Sequence, residues 1–383
     1  MSTFTVPVVT VKAVITHPNA DALDILEFEE IAWKCVDKRG TRKPGDLVVY
    51  IPIDSLVDTA RPEFSFLAPR AKPNGWCRIK TMRLRGEISQ GLVIDAPPSL
   101  MQPIPEVEAG STLVPTIAGL DALYHYGIVK YEPGEPGEPG SSSTFISWCQ
   151  KTDAERYQNF NRNIAPFANE EFYLTLKMDG TSCTAFYDAD RVVTEGEVLN
   201  DGYGVCSKNR EVFEGDVASD KYFENQQPPT AAPTNTYWRA FRAYSLKEKL
   251  QAIAAILGSP KVALQGEICG PGIQKNKAGL KELSFFAFDI FDGSTGNYVP
   301  YERFLEICAQ LSIPTVPVIG CRPITEDIQT SFQWISSLRY EQNDTPAEGV
   351  VFVAKNERFV GNLGRLKFKF INPEFLIKYE SRD

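Results

Sequence analysis

Four apolar, strand-like runs after residue 150 are each interrupted by charge, and a fifth opens with one. Lys177 lies in LTLKMDG, Glu267 in LQGEICG, Asp289 in FFAFDIF, and Lys367 with Lys369 in LKFKF, while Glu348 opens EGVVFV. A charged side chain buried in a strand without a partner is costly. Each of these residues alone reads as a strand end or a solvent-facing position. Five in one stretch favour a fold in which the charged faces converge, so that cations and carboxylates share one electrostatic basin.

Strand geometry sharpens this. Residues two apart share a face, so Lys367 and Lys369 point one way and Leu366, Phe368 and Phe370 the other. Lys177 and Asp179 can likewise share a face up to the turn at Gly180. Two readings of Lys177 compete, a surface strand end and a nucleophile. A nucleophilic lysine must shed its proton from a free-side-chain pKa of roughly 10.4. Burial and the cations of Lys367 and Lys369 would push that value down. The same two lysines could hold a phosphate, and Glu267 and Glu348 could hold Mg²⁺ through its waters. Such a basin suits a nucleotide with its metal.

The first hundred residues have a different texture. FTVPVVTVKAVITH, DILEFEEIAWKCV, LVVYIPIDSLV, RIKTMRL and GLVID are short strands separated by Gly, Pro and Asp turns, the pattern of an OB-type β-barrel. In RIKTMRLRG, Arg78, Lys80, Arg83 and Arg85 give one strand a basic side, which is either a solvated face or a phosphate-binding one. EPGEPGEPGSSS, from Glu132 to Ser143, reads as an extended linker. After it, AERYQNFNRNI, SLKEKLQAIAAILG and YERFLEICAQLS read as helices between the strands, with Gly258 at a C-cap position. The expected organisation is therefore an OB-type domain over 1–100, a linker over 101–150 and an α+β domain over 151–383.

Composition removes other classes. Eight scattered cysteines with no C-x-x-C pair, and only His17 and His125, argue against a zinc site and against imidazole catalysis. His17 reads as a turn residue and His125 as a packing one. A net charge of −9 argues against non-specific nucleic-acid binding by the whole surface. No run is apolar enough for a signal peptide or membrane span, so a soluble, cytoplasmic or otherwise intracellular protein is expected.

Lys177-Met178-Asp179-Gly180-Thr181 resembles the K-x-D-G attachment motif of covalent nucleotidyltransferases. LQGEICG, FFAFDIF, EGVVF and LKFKF follow in that superfamily's order. Within it the chain is most similar to ATP-dependent RNA ligases with an N-terminal OB domain, on HPNADALDIL, KPGDLVVYIPIDSLV, RIKTMRLRGEISQGLVI and KTDAERYQNF. The chain ends soon after LKFKF, which leaves no room for the C-terminal OB domain of DNA ligases and capping enzymes.

The resemblance implies that Lys177 attacks the α-phosphate of ATP to form lysyl-AMP. AMP then passes to an RNA 5′-phosphate, and a 3′-hydroxyl displaces it, most naturally at a nick in a duplex whose phosphates Arg78, Lys80, Arg83 and Arg85 would track. Lys367, Lys369, Glu267 and Glu348 would be catalytic with Lys177. The nucleotide would be held by Arg156, Leu176, Lys177, Lys208, Arg210, Glu267, Lys367 and Lys369, with Phe288 stacked on adenine. Asp179, Glu267 and Glu348 would serve Mg²⁺ or Mn²⁺. GVCSKNRE departs from the Ser-Arg-Asn of such ligases by carrying Lys208, which lacks arginine's planar fork. The alternatives are a DNA ligase, a capping-type enzyme and a non-catalytic nucleic-acid-binding protein.

Overall fold

The computed structural model describes residues 4–97, 117–131, 144–152, 154–160, 167, 169–191, 202–214, 235–324, 328–360 and 364–379. The expected linker from Glu132 to Ser143 lies outside the described residues. The chain forms two compact units. One comprises Met1–Gly134, Arg156–Pro166 and Pro373–Asp383, the other Glu135–Glu155 and Phe167–Asn372.

The first unit has an OB fold with a nearly closed barrel. Its larger sheet is antiparallel, in the order Lys34–Lys38, Leu23–Phe28, Val8–Thr16, Leu47–Ile51, Leu92–Asp95. Strand Val8–Thr16 pairs with Leu47–Ile51 through its first residues and with Leu23–Phe28 through its later ones. A bulge between Val11 and Ala13 bends it between the two partners, which is how barrels turn corners. Inward residues Val49, Ile51, Val57, Phe64, Cys77 and Tyr126 form the core. At Gly91 (φ +112°) a Cβ would lie 2.6 Å from the Tyr50 ring, so only glycine fits.

RIKTMRL is not one basic strand. It divides into Trp76–Arg78, in a sheet with Ser55–Asp58 and Val129–Lys130, and Thr81–Leu84, which forms a hairpin with Glu87–Gln90. Arg85 and Gly86 make the hairpin turn, both with positive φ (49° and 102°), the sign pattern of the tight turns that match strand twist. His17 is buried beside it. The Asn19 N–H donates to its Nδ1 (3.1 Å), so the ring proton sits on Nε2, which donates to the Leu84 carbonyl (2.9 Å).

The second unit is α+β, built on two sheets. One carries Lys367–Ile371, Gly349–Ala354, Glu171–Lys177 and Val318–Pro323 side by side in that order. The other is antiparallel, in the order Tyr203–Cys206, Thr181–Asp188, Lys261–Cys269, Ser284–Asp292, Asn297–Tyr298. Helices Thr236–Ala243, Leu246–Leu257 and Tyr301–Gln310 bury Trp238, Leu250, Ile253, Phe304 and Ile307 in a core with Leu264, Phe285 and Ile290. The Asn235 side chain caps the first by accepting from the Trp238 N–H. Gly258 ends the second in the left-handed conformation (φ +63°), as its position predicts.

AERYQNFNRNI does not form the expected helix over its described residues. Glu155–Arg156 is extended and Tyr157–Phe160 is a single 3₁₀ turn. Among the described residues no helix is long and apolar enough to cross a membrane.

Candidate active site

Lys177 ends one sheet, and Thr181, four residues on, begins the other. Met178, Asp179 and Gly180 are therefore the corner by which the chain passes between sheets, rather than a hairpin turn. The corner is tight. A Cβ on Gly180 would lie 2.3 Å from the Ile268 carbonyl oxygen and 2.9 Å from the Glu267 side chain. Glycine at this position lets the corner press against the Glu267 strand, and Ser182 pairs directly with Glu267. On the other side Lys177 pairs with Gly349, next to Glu348. Residues far apart in sequence thus meet at one seam.

At the seam the Lys177 Nζ lies 2.7 Å from Glu348 Oε1. Burial pulls the lysine's pKa down, but the charges of Glu348, Glu267 and Asp179 outweigh it and raise the value. This corrects the expectation that neighbouring cations depress it: the carboxylates around Lys177 hold it charged. Those carboxyls pay for their crowding. Burial, opposed by Lys177 and reinforced by Glu348 and Asp179, pushes Glu267 up to about 8. Burial and Glu348 push Asp179 up to about 6, against the pull of Lys277, whose Nζ is 2.7 Å away.

The second lysine has a separate partner. Lys367 Nζ lies 2.5 Å from Asp289 Oδ2 and 5.0 Å from the centre of the Phe288 ring. Its pKa is lowered, first by burial and then by Arg365, against the attraction of Asp289. Asp289 owes its place to a bulge: Gln265 pairs with Asp289 and Gly266 with Ala287, leaving Phe288 without an opposite number. Leu366, Phe368 and Phe370 are buried, with Lys367 and Lys369 on the half-buried opposite face, as alternation predicts. Phe288 and Phe286 are both half-buried and pack with Leu176 in a small apolar cluster that includes Met178 and Tyr340.

Other sequence candidates lie differently. Lys208 is exposed on a turn closed by Ser207 and Arg210, whose backbones bond at 2.8 Å, and Arg210 is half-buried. Arg156 belongs to the first unit, where its Nη2 lies 2.8 Å from Asp54. Arg78 meets the same carboxylate at 2.5 Å and stacks 4.1 Å from the Tyr131 ring. Arg83 pairs with Glu374, Arg85 is exposed on the hairpin turn, and Lys80 is half-buried.

Sequence reasoning missed three residues. Tyr340, 1% exposed, donates its hydroxyl to the Lys177 carbonyl and accepts from the backbone N–H groups of Asp179 and Glu348, each at 3.2 Å. It ties the lysine corner to the Glu348 strand. Lys277 is held beside Asp179 by a turn whose residues Gln274, Lys275 and Asn276 all have positive φ. Arg365 lies 2.8 Å from Asp289. None has a pattern in the sequence that marks it.

A model of the RNA ligase family matches residues 170–371, and an OB-fold domain model matches residues 5–96. No curated protein sequence is significantly similar. Among solved structures, Naegleria gruberi RNA ligase with PPi is 26% identical with a TM-score of 0.74, covering 100% of both chains. A lysine-to-alanine mutant of that ligase with ATP and Mn is 26% identical with a TM-score of 0.73, over 98% of this chain and 99% of that one. A glutamate-to-alanine mutant with AMP and Mn gives the same values. The seam of lysines and carboxylates therefore sits in the matched region of a fold shared from end to end, and the chain belongs to the RNA ligase family.

Proposed function

We propose that this chain is an ATP-dependent RNA ligase that joins 3′-hydroxyl and 5′-phosphate ends at nicks in a duplex. The observation that carries the reading is the placement of Lys177, ion-paired with Glu348 at 2.7 Å and in the field of Glu267, with its chain neighbours Leu176 and Met178 packed in one apolar cluster with Phe286 and Phe288. The Naegleria structures hold ATP, AMP and PPi, which are the donor, the transferred group and the leaving group of such a first step.

In that step the Lys177 amine forms a bond to the α-phosphorus of ATP, the bond to the β-phosphate oxygen breaks, and pyrophosphate leaves. The RNA 5′-phosphate then takes AMP from Lys177. Finally the 3′-hydroxyl attacks the activated 5′-phosphorus, releasing AMP. Phe288 is the residue for stacking on adenine, and Lys367 and Lys369 are the residues for the α-phosphate.

The carboxylates fit a hydrated divalent cation. Glu348 Oε2 is buried with no hydrogen-bond partner, and Glu267 and Asp179 stand in a crowd of like charge. Mg²⁺ gives up its water reluctantly, so carboxylates hold it largely through that water. Bound there, Mg²⁺ or Mn²⁺ would supply the positive charge needed to lower the Lys177 pKa. Glu348 and Glu267 are the residues that would hold the cation, beside Asp179. Free cysteines and an RNA substrate fit an intracellular site of action.

Incubation with α-labelled ATP and Mg²⁺ should leave label on the protein, acid-labile as a phosphoramidate is, and Lys177→Met should abolish it. Label from GTP or NAD⁺ alone would favour a capping or bacterial-type enzyme. Sealing of nicks with ribose or deoxyribose at each terminus tests the substrate, since the 2′-hydroxyl is what separates RNA from DNA. Joining that ignores every ribose would overturn the RNA reading.

A further inference from the structure

We propose that Arg365, acting through Asp289, is a positioning residue for Lys367; the inference rests on reading the site as one that adenylylates Lys177. Four side chains form a line of alternating charge. Glu357 holds Arg365 with two bonds (Nε to Oε1 2.8 Å, Nη2 to Oε2 2.7 Å). Arg365 reaches Asp289 Oδ1 at 2.8 Å, and Asp289 Oδ2 accepts from Lys367 at 2.5 Å. The line is buried: Asp289 is 3% exposed, and the Arg365 guanidinium lies 3.8 Å from the centre of the Tyr298 ring.

Each carboxylate oxygen of Asp289 thus has one cation. Arg365 occupies the first, so Lys367 has only the second and cannot be drawn into a two-oxygen grip. Asp289 is the only hydrogen-bond acceptor of Lys367 among the described residues, and an ammonium carries three N–H groups. Two remain for a phosphate, aimed by the one that is fixed. The fork of arginine is what allows a two-bond grip on Glu357 together with a third bond to Asp289, a planar geometry that a lysine at 365 cannot reproduce.

A double-mutant cycle with Arg365→Met and Lys367→Met tests the coupling, read as the single-turnover rate of Lys177 labelling by saturating ATP. Arg365→Met should slow labelling about tenfold to a hundredfold, with the ATP concentration for half-saturation changed less than about threefold. In the Lys367→Met background the same change should cost less than about twofold, because the group being positioned is gone. Losses that multiply would overturn the proposal, since Arg365 would then act independently of Lys367. If Arg365→Met fails to fold, Arg365→Lys serves in the same cycle, and a wild-type rate there overturns the proposal as well. Wild-type protein that takes no label from ATP would sink the functional reading itself, a result distinct from labelled protein with multiplying losses.

Discussion

At the scale of single residues, the site is costly to keep. Glu267 has a folded-state pKa of about 8 against an ordinary value of 4.5, with burial the main cause. A group whose value rises on folding contributes stability that is fully present below the unfolded value and lost as pH rises through the folded one. For Glu267 that loss runs from about pH 4.5 to about pH 8. Glu267→Gln should therefore unfold at a higher temperature than wild type at pH 8.5, by the equivalent of about 1 kcal/mol. The difference should vanish at pH 4, and labelling by ATP should be lost. Thermal melts at the two pH values check this. The charges at Lys177, Glu267, Lys367 and Lys369 were legible in the sequence because each breaks an apolar run, and Glu348 because it opens one. The sign of the Lys177 shift was not, because it depends on which charges lie nearest. Glu348 is at 2.7 Å, whereas Lys367 is bound to Asp289.

At the scale of elements, the corner between the two sheets sets the geometry of Lys177. Gly180→Ala would drive a Cβ into the Ile268 carbonyl, and separating those strands should cost about 2–4 kcal/mol. Denaturant titration would register this as a lower midpoint. Tyr340→Phe removes one oxygen that serves three backbone groups. It should reduce stability by about 1–3 kcal/mol and slow labelling, because the Lys177 corner loses its tie to the Glu348 strand. An unchanged rate with lowered stability would show the tie to be structural only. The strands themselves were readable from their alternation, as was the helix ending at Gly258. RIKTMRL misled because its alternation continues across a break at Ile79 and Lys80, where the chain changes sheets. The bulge at Phe288, which delivers Asp289 to Lys367, leaves no mark in composition. It follows from register with Gln265 and Gly266.

At the scale of the molecule, the OB fold and the α+β unit were both legible, but the way the chain is shared between them was not. Helix Pro373–Tyr379 belongs to the first unit, where Glu374 pairs with Arg83 and Phe375 and Leu376 are buried. Removing residues 373–383 should destabilise the barrel by about 2–5 kcal/mol, from the loss of two buried apolar side chains. Hydrogen exchange in strands Thr81–Leu84 and Glu87–Gln90 should report it first. The discontinuity also bears on synthesis. Roughly 200 residues of the second unit are translated between the first unit's middle segment and its last helix. At about 5–20 residues per second, the nascent barrel waits on the order of ten to forty seconds for that helix. During that interval an incomplete barrel is what the ribosome presents to chaperones and proteases.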